Sequence, residues 1–578
     1  MKDGATVEKS HVDAPQEGEV RLPLWLRLTG LPIVAPALLI ILCALLYVPG
    51  LASVPPLDRD EPRFAQATKQ MLQSGDYVNI RFQEQGRYKK PIGIYWLQAA
   101  AAKLTGYGEN APIWVYRLPS VLGASLAVLL VYWAALAFAD RRGAFLSGLL
   151  VATSFIVIAE AHLAKADAAL LACIVLAQGA LARVWKRAVP KVNWWLAFLF
   201  WTAMGAGVLL KGPIILMVCG LTIAALCLWQ RKGAWVRGLA PVIGLIYLCL
   251  LVLPWVVAIE IASEGAFLRK ALGGDFLAKI GEGKEAHGAP PLTHLLAGFA
   301  TFWPLSVFIV YAVPRLWSSR GQEVVSFMLC WLVPSWIVFE LVSTKLPHYT
   351  MPMLPALAIA VAYCLVGSPQ GKTNSFFRGT SVILCAMIPL LLALFVVIGP
   401  VYLEIWPSPP GVVLVVCGAF LAFLATQHLR QSQPLKAIPA LVVAMAAINF
   451  GFWFYSAPAL TPLWVSPAIA KVVKDLPHCE ETQVFTVGYN EPSLVFLNTL
   501  STQNGNAQQA AAFLRPVSGA TDVNAERLCR VAIVEKRYQQ AFMEAAKAQN
   551  ITVKQLGEVS GLKLNGGNKV TLGAFEGG

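Results

Sequence analysis

PPLDRDEPRFAQATKQML, residues 55–72, is the stretch on which the reading of this chain turns. It sets Asp58, Arg59, Asp60, Glu61 and Arg63 within six residues, directly after an apolar run near 32–51. Charge at the mouth of a bilayer-length segment is costly unless headgroups, ion partners or a ligand compensate it, which makes it a functional signal. Outward from that cluster the chain is hydrophobic: 57% of its 578 residues are apolar, 13% are charged, and the mean hydropathy is +0.61. Soluble domains carry about 25% charged residues, so the composition places the chain in a membrane. The net charge of +14 sits in short blocks between apolar runs. That placement is a topology signal and not the footprint of a nucleic-acid binder. The first twenty residues or so are polar and carry no cleavable-signal pattern, so the first apolar run is expected to stay as an anchor.

A spanning helix needs roughly twenty mostly apolar residues. Thirteen such runs are expected, near 32–51, 114–139, 143–160, 168–185, 194–210, 213–230, 238–260, 293–314, 322–343, 350–367, 380–400, 411–427 and 438–456. Ile92–Gly106 is too short and holds Lys103, so it reads as an interfacial or re-entrant helix. One set of short loops carries Arg141, Arg142, Arg183, Lys186, Arg187, Lys191, Arg231, Lys232 and Arg237, then Arg315, Arg320, Lys372, Arg378, Arg430 and Lys436. The positive-inside rule makes that side, with residues 1–30, cytoplasmic. An odd span count then sends the tail outward, beyond a transmembrane domain at 31–457. Outer loop 1 is 52–113, and a second outer loop is 261–292. The tail, 458–578, offers strand-like TQVFTVG, CRVAIVE, ITVKQLGEV and KVTLGAF and an amphipathic RYQQAFMEAAKAQN, a small α/β domain on the outer face. Its Cys479 and Cys529 are either a disulfide or two buried thiols.

The same topology gathers every unusual polar cluster on the outer face: PPLDRDEPR, EAHLAKAD, LLKGP, EGKEAHGAPP and STKLPHYTMP. Asp60 and Asp167 are the candidate catalytic carboxylates, able to orient an acceptor or face a developing positive charge in glycosyl transfer. The bland alternatives are a headgroup-solvated Asp60 and an N-capping Asp167. Arg63, Lys89, Lys90, Lys211 and Lys345 lie at the outer ends of apolar segments, where snorkelling would also put them. Lys90, Lys211 and Lys345 are each followed closely by Pro, in KKP, KGP and KLP, and such turns fix a cation in place. Positioned cations beside two carboxylates, with Tyr349 as a neutral donor, suit a lipid phosphate. Asp58-x-Asp60 resembles a metal-binding DxD weakly, and a divalent ion, if bound, would take His287 as a ligand. No P-loop, GxGxxG or GxSxG occurs, so no nucleotide cofactor is expected.

DEPRFAQATKQMLQSGDY followed by RYKKPIGIYW resembles the signature of bacterial glycosyltransferases related to protein O-mannosyltransferases, and LLKGP, VLPW, AHGAP and STKLPHY follow in that group's order. The resemblance covers about residues 30–360 and points within the group to transferases that move aminoarabinose from undecaprenyl phosphate to lipid A. It implies a GT-C fold of many transmembrane helices with a periplasmic C-terminal domain, in a bacterial inner membrane. It also implies a polyprenyl phosphate-linked sugar donor and an outer-face acceptor, lipid A or another periplasmic molecule. Asp60 and Asp167 match the group's carboxylates, and Arg63, Lys90, Lys211, Lys345 and Tyr349 fall where its lipid phosphate is expected. Lys89 stands where the group often has Glu, and Phe64 where it often has Tyr. Two further readings stay open on the residues: a transferase of another polyprenyl-linked sugar to a protein or glycan, and a transporter or flippase. Against the second, the charges gather at one face and the two halves show no repeat.

Overall fold

The computed structural model describes residues 22–57, 60–187, 191–270, 289–367, 374–476, 479, 481–498, 501–515 and 528–577. Asp58, Arg59 and His287, and with His287 the metal reading, lie outside them. Each apolar run expected to span coincides with a helix or a bent pair of helices. Among the described residues nine helices are long and apolar enough to cross a bilayer, or eleven counting two bent pairs as one span each. The pairs are Arg141–Ala152 with Phe155–Ala161, bent by 62°, and Thr293–Thr301 with Leu305–Ser318, bent by 116°. Val34–Tyr47 and Ile214–Gln230 are shorter apolar helices. Length and composition therefore leave the span number between nine and the thirteen read from hydropathy. The chain is a polytopic helical membrane protein with a small α/β domain after it.

The bends place polar groups where an unbroken helix would not. Between Phe155–Ala161 and Asp167–Arg187 the chain makes the short turn 162–166, and the buried Glu160 and Asp167 flank it. The first outer loop is fixed at its start by contact too close for a side chain. Gly50 has φ +85°, and a Cβ there would lie 2.6 Å from the backbone carbonyl carbon of Trp453. His162 stacks on the Trp453 indole at 4.5 Å and reaches the Pro49 carbonyl with Nε2 at 2.9 Å. Asn449 donates to the Leu46 carbonyl. The late helices thus brace the loop that carries the charge cluster.

Ile92–Gly106 forms one helix, Gly93–Leu104, which packs against the helices Asp60–Ser74, Ile113–Ala135 and Trp194–Lys211. Beyond the membrane half, an antiparallel pair in outer loop 1, β1 (Arg81–Phe82) and β2 (Gln85–Gly86), precedes the C-terminal sheet. That sheet comprises β3 (Glu481–Val487), β4 (Gln503–Asn504), β5 (Leu528–Glu535), β6 (Val553–Leu562) and β7 (Lys569–Gly577), in the order β4-β3-β5-β7-β6. β4, β3 and β5 run parallel, and β7 pairs antiparallel with β5 and β6. The two faces of β3 and β5 feed separate clusters. Val484, Val531 and Ile533 pack with the helix Val465–Lys474, while Phe485, Ala532 and Val534 pack with Phe542 of Lys536–Ala548. Cys479 and Cys529 are joined in a disulfide beside this sheet.

Candidate active site

The helix Asp60–Ser74 begins at the charge cluster, with Asp60 and Glu61 in its first turn, where carboxylates meet the positive end of the helix dipole. The two have opposite fates. Glu61 is 1% exposed and grips Arg117, also 1% exposed, through Nε–Oε1 at 2.8 Å and Nη2–Oε2 at 2.9 Å. Glu61 also accepts from the backbone N–H of Leu57 and of Ala164, and Arg117 donates to the carbonyls of Leu51, Val54 and Pro55. One buried pair therefore ties the first outer loop, the helix Ile113–Ala135 and the 162–166 turn together. Gln98 adds a second tie, accepting from Thr68 and donating to the carbonyls of Tyr116 and Ala164.

Asp60, one residue earlier, is left open and faces cations. The surrounding protein disfavours its charge, but Lys165, Arg87, Lys90 and Arg63 together outweigh that and hold its carboxyl below the usual carboxylate range. Burial likewise works against the Lys165 ammonium, and Glu160, Asp167, Asp60 and Glu61 overcome it, so Lys165 keeps its proton more firmly than a free lysine.

Deeper in, Lys211 pairs with Asp167. The helix Trp194–Lys211 ends there because Gly212 turns out of it at φ +74° and Pro213 opens the next element, which holds the ammonium at a helix end. His348 lies between two acids, with Nε2 3.7 Å from Asp167 Oδ1 and Nδ1 3.6 Å from Glu160 Oε1. Glu160 is 4% exposed, has Lys165 Nζ at 3.8 Å from Oε1, and its Oε2 has no hydrogen-bond partner among the described residues. The Tyr349 ring lies under Lys211 Nζ at 5.7 Å and beside His348 and His294. His294 is buried, pairing Nδ1 with Glu340 Oε2 at 2.9 Å and reaching the Leu346 carbonyl with Nε2 at 3.2 Å.

The Glu340–His294 pair marks the edge of a second feature, an apolar groove of about 900 Å3 between Thr293–Thr301 and Glu323–Leu341. Leu295, Phe299, Trp336 and Ile337 are among its walls, and Glu340, Ser343 and Lys345 supply its polar end. Leu292, Ile337 and Leu341 stay exposed on the outer surface of the helical bundle, so the groove opens sideways. Lys345 donates to the Val342 carbonyl at 2.8 Å, where the preceding helix ends.

The structure thus groups Asp167, Lys211 and Tyr349, brings Asp60 with Arg63 and Lys90 into one field, and sets Lys345 at the groove mouth. Lys89 stands apart, in a pocket shared with the C-terminal domain. The sequence singles out neither Arg87 nor the Glu61–Arg117 and His294–Glu340 pairs, and it reaches Glu160 and Lys165 only as part of the EAHLAKAD cluster. Glu160 did carry a signal, an acid closing an apolar run seven residues before Asp167. Arg117 and His294 sit inside apolar segments and carried none. As to a metal, the one grouping of ligand-type side chains among the described residues is Cys479, Cys529 and Glu576. Its two sulfurs are bonded to each other, which does not fit an ion.

Residues 33–265 match the family model of dolichyl-phosphate-mannose-protein mannosyltransferases. The chain is 28% identical over 344 residues to an undecaprenyl phosphate-alpha-4-amino-4-deoxy-L-arabinose arabinosyl transferase of Erwinia tasmaniensis, covering 57% of this chain and 60% of that protein. A protein of the same description from Pseudomonas paraeruginosa is 28% identical over 418 residues, covering 71% of this chain and 73% of its own. Among solved structures, ArnT from Cupriavidus metallidurans bound to undecaprenyl phosphate superposes with a TM-score of 0.72 at 17% identity, over 94% of this chain and 98% of that one. The chain has the GT-C fold of these many-helix membrane proteins. In this fold the described carboxylates and cations that the sequence singled out, Lys89 apart, line up from the Asp60 helix to the mouth of the groove.

Proposed function

We propose that this protein is a glycosyltransferase that moves 4-amino-4-deoxy-L-arabinose from undecaprenyl phosphate to a phosphate of lipid A, at the periplasmic face of a bacterial inner membrane. The observation that carries the reading is the apolar groove whose polar end, at Glu340 and Lys345, continues through His294 and Tyr349 into the Lys211–Asp167 centre. A polyprenyl chain has the apolar surface and length to fill such a groove, and its phosphate would then lie among Lys345, Lys211, Tyr349, Lys90 and Arg63. The activity of the two relatives, arabinosyl transfer from undecaprenyl phosphate-aminoarabinose, points to the same donor and sugar. The basic loops on the opposite side support the periplasmic assignment. So does a disulfide in the C-terminal domain, since such bonds persist in oxidising compartments.

In the reaction, an oxygen of the acceptor phosphate attacks the anomeric carbon of the sugar, and the bond from that carbon to the undecaprenyl phosphate oxygen breaks. The leaving phosphate takes the electron pair and gains negative charge, which fixed ammonium and guanidinium groups stabilise as it develops. The attacking phosphate is already ionised, so no proton has to be removed. Asp60, ionised and open, positions the acceptor and faces the positive charge that grows on the sugar. Asp167 holds Lys211 in place. Capping a lipid A phosphate with an amino sugar turns a phosphate monoester into a singly charged diester and adds an ammonium, which would weaken the binding of cationic peptides such as polymyxin.

The test is a reconstitution of the purified chain with undecaprenyl phosphate-aminoarabinose and lipid A, read by mass spectrometry. Addition of one aminopentose by the wild type, and a drop of at least about a hundredfold for Asp60→Asn, is the expected result. Well-folded wild type that leaves lipid A unmodified would overturn the assignment of sugar and acceptor.

A further inference from the structure

A second cavity, of about 340 Å3, lies where outer loop 1 meets the C-terminal domain, and the reaction just described gives most of its lining no task. One wall comes from the membrane half: Phe82, Gln83 and Gln85 to Lys89 around the β1–β2 turn, Arg63 from the Asp60 helix, and Lys270. The other comes from the C-terminal domain, with Tyr489, Asn490 and Glu491 after β3 and Asn504 in β4. Four cations, Arg63, Arg87, Lys89 and Lys270, therefore face one carboxylate, Glu491. That carboxylate is committed, since its Oε2 accepts from Asn565 Nδ2 at 2.8 Å.

A concave surface with this excess of positive charge concentrates anions, and guanidinium and ammonium groups with amide donors beside them match phosphate oxygens. The arrangement is built and not incidental. Arg87 is oriented by the Tyr95 hydroxyl, which accepts from its Nε at 3.2 Å, and by the Phe64 ring at 5.0 Å. The far wall is docked: Phe496 meets Tyr116 edge-on at 5.7 Å, and Gln83 Nε2 donates to the Thr502 carbonyl. Arg63 follows Asp60 by three residues on one helix, so the pocket opens beside the proposed reacting centre. Arg63 and Arg87 both act on the Asp60 carboxylate.

We infer that this pocket seats a phosphate group of the acceptor's glycolipid headgroup, making the C-terminal domain a participant in acceptor choice. The inference rests on the acceptor reading above and adds to it a binding site beside the donor phosphate, with Arg63 on the border between the two. A phosphate here would hold the headgroup by charge and amide hydrogen bonds while Asp60 faces the reacting end.

The experiment uses the full chain in nanodiscs without donor. Binding of bisphosphorylated lipid A, its dephosphorylated counterpart, inorganic phosphate and undecaprenyl phosphate is measured for the wild type. The same panel is run on two variants, Lys89→Gln with Lys270→Gln, and Asn504→Asp, which puts a negative charge on the exposed C-terminal wall. Both variants are expected to weaken lipid A binding about tenfold and to shrink its preference over the dephosphorylated lipid, with undecaprenyl phosphate binding unchanged. Unaltered lipid A binding in both variants overturns the inference and leaves the acceptor reading standing. Loss of undecaprenyl phosphate binding instead gives the pocket to the donor and also overturns it. Inorganic phosphate bound by the wild type as tightly as lipid A would reduce the pocket to a site for the free ion. A wild type that binds undecaprenyl phosphate but no phosphorylated glycolipid would remove the acceptor reading itself, and the inference with it.

Discussion

Two adjacent acids show how much a single position decides. Asp60 and Glu61 are alike in charge and in sequence setting, yet Glu61 is sealed against Arg117 while Asp60 faces open space and four cations. Removing one partner of a buried pair strands the other charge, so Glu61→Gln is expected to cost about 3 kcal/mol of stability. A lowered thermal transition in detergent, absent in Asp60→Asn, would check it. The pH dependence of Asp60 follows from the direction of its shift. Its carboxyl is held below the ordinary carboxylate range in the folded chain, so the benefit of its charge is present above its unfolded pKa, roughly 4. That benefit fades only as the pH falls through the lower folded value. Activity that depends on ionised Asp60 should therefore stay level from neutrality down to about pH 4. Lys90 is one of the cations responsible, so Lys90→Gln should move the acid limb of kcat/KM to higher pH. A limb that stays where it was would show that Lys90 does not set the charge state of Asp60.

Among the elements, the groove helix Thr293–Thr301 is the one whose sequence concealed its use. Its apolar residues read as lipid-facing span, and only the 116° bend into Leu305–Ser318 turns one face of it into a channel wall. Gly298 lies on that wall, and a Cβ there would meet the Trp336 ring in ordinary contact at 3.7 Å. Alanine therefore fits, whereas the branches of a larger side chain must enter the groove. Gly298→Leu is expected to raise KM for the polyprenyl donor about tenfold with little change in thermal stability, and Gly298→Ala to leave it near the wild-type value. Donor-saturation kinetics of the two variants would decide whether the groove carries the lipid.

For the molecule as a whole, the membrane half and the C-terminal domain are coupled through Phe496, Gln83 and the second pocket, so the stability of one bears on the function of the other. The Cys479–Cys529 bond, between residues 50 apart in sequence, fastens the end of β5 next to β3. Replacing both with Ser should lower the stability of this domain by about 2–4 kcal/mol. In differential scanning calorimetry the transition of the C-terminal domain should move to lower temperature while that of the membrane half stays in place. A single unmoved transition would mean that the bond adds nothing to this domain.

Apolar runs and their spacing determined the helical membrane half and the α/β tail, because burial in hydrocarbon and strand alternation act over a few residues and leave a local pattern. The sequence also marked Asp60, Asp167 and the Pro-fixed lysines, because charge at the end of an apolar run is visible wherever the chain later folds. Partners are different. That Glu61 meets Arg117, that His348 stands between Glu160 and Asp167, and that His294 joins Glu340 to Tyr349 are contacts across separations of 56, 188 and 46 residues or thereabouts. Nothing in the local pattern specifies them. The bends in two apolar segments and the docking of the tail on outer loop 1 belong to the same class. Hydropathy sets which segments enter the bilayer, and only the packing of helix against helix decides which polar groups they bring together.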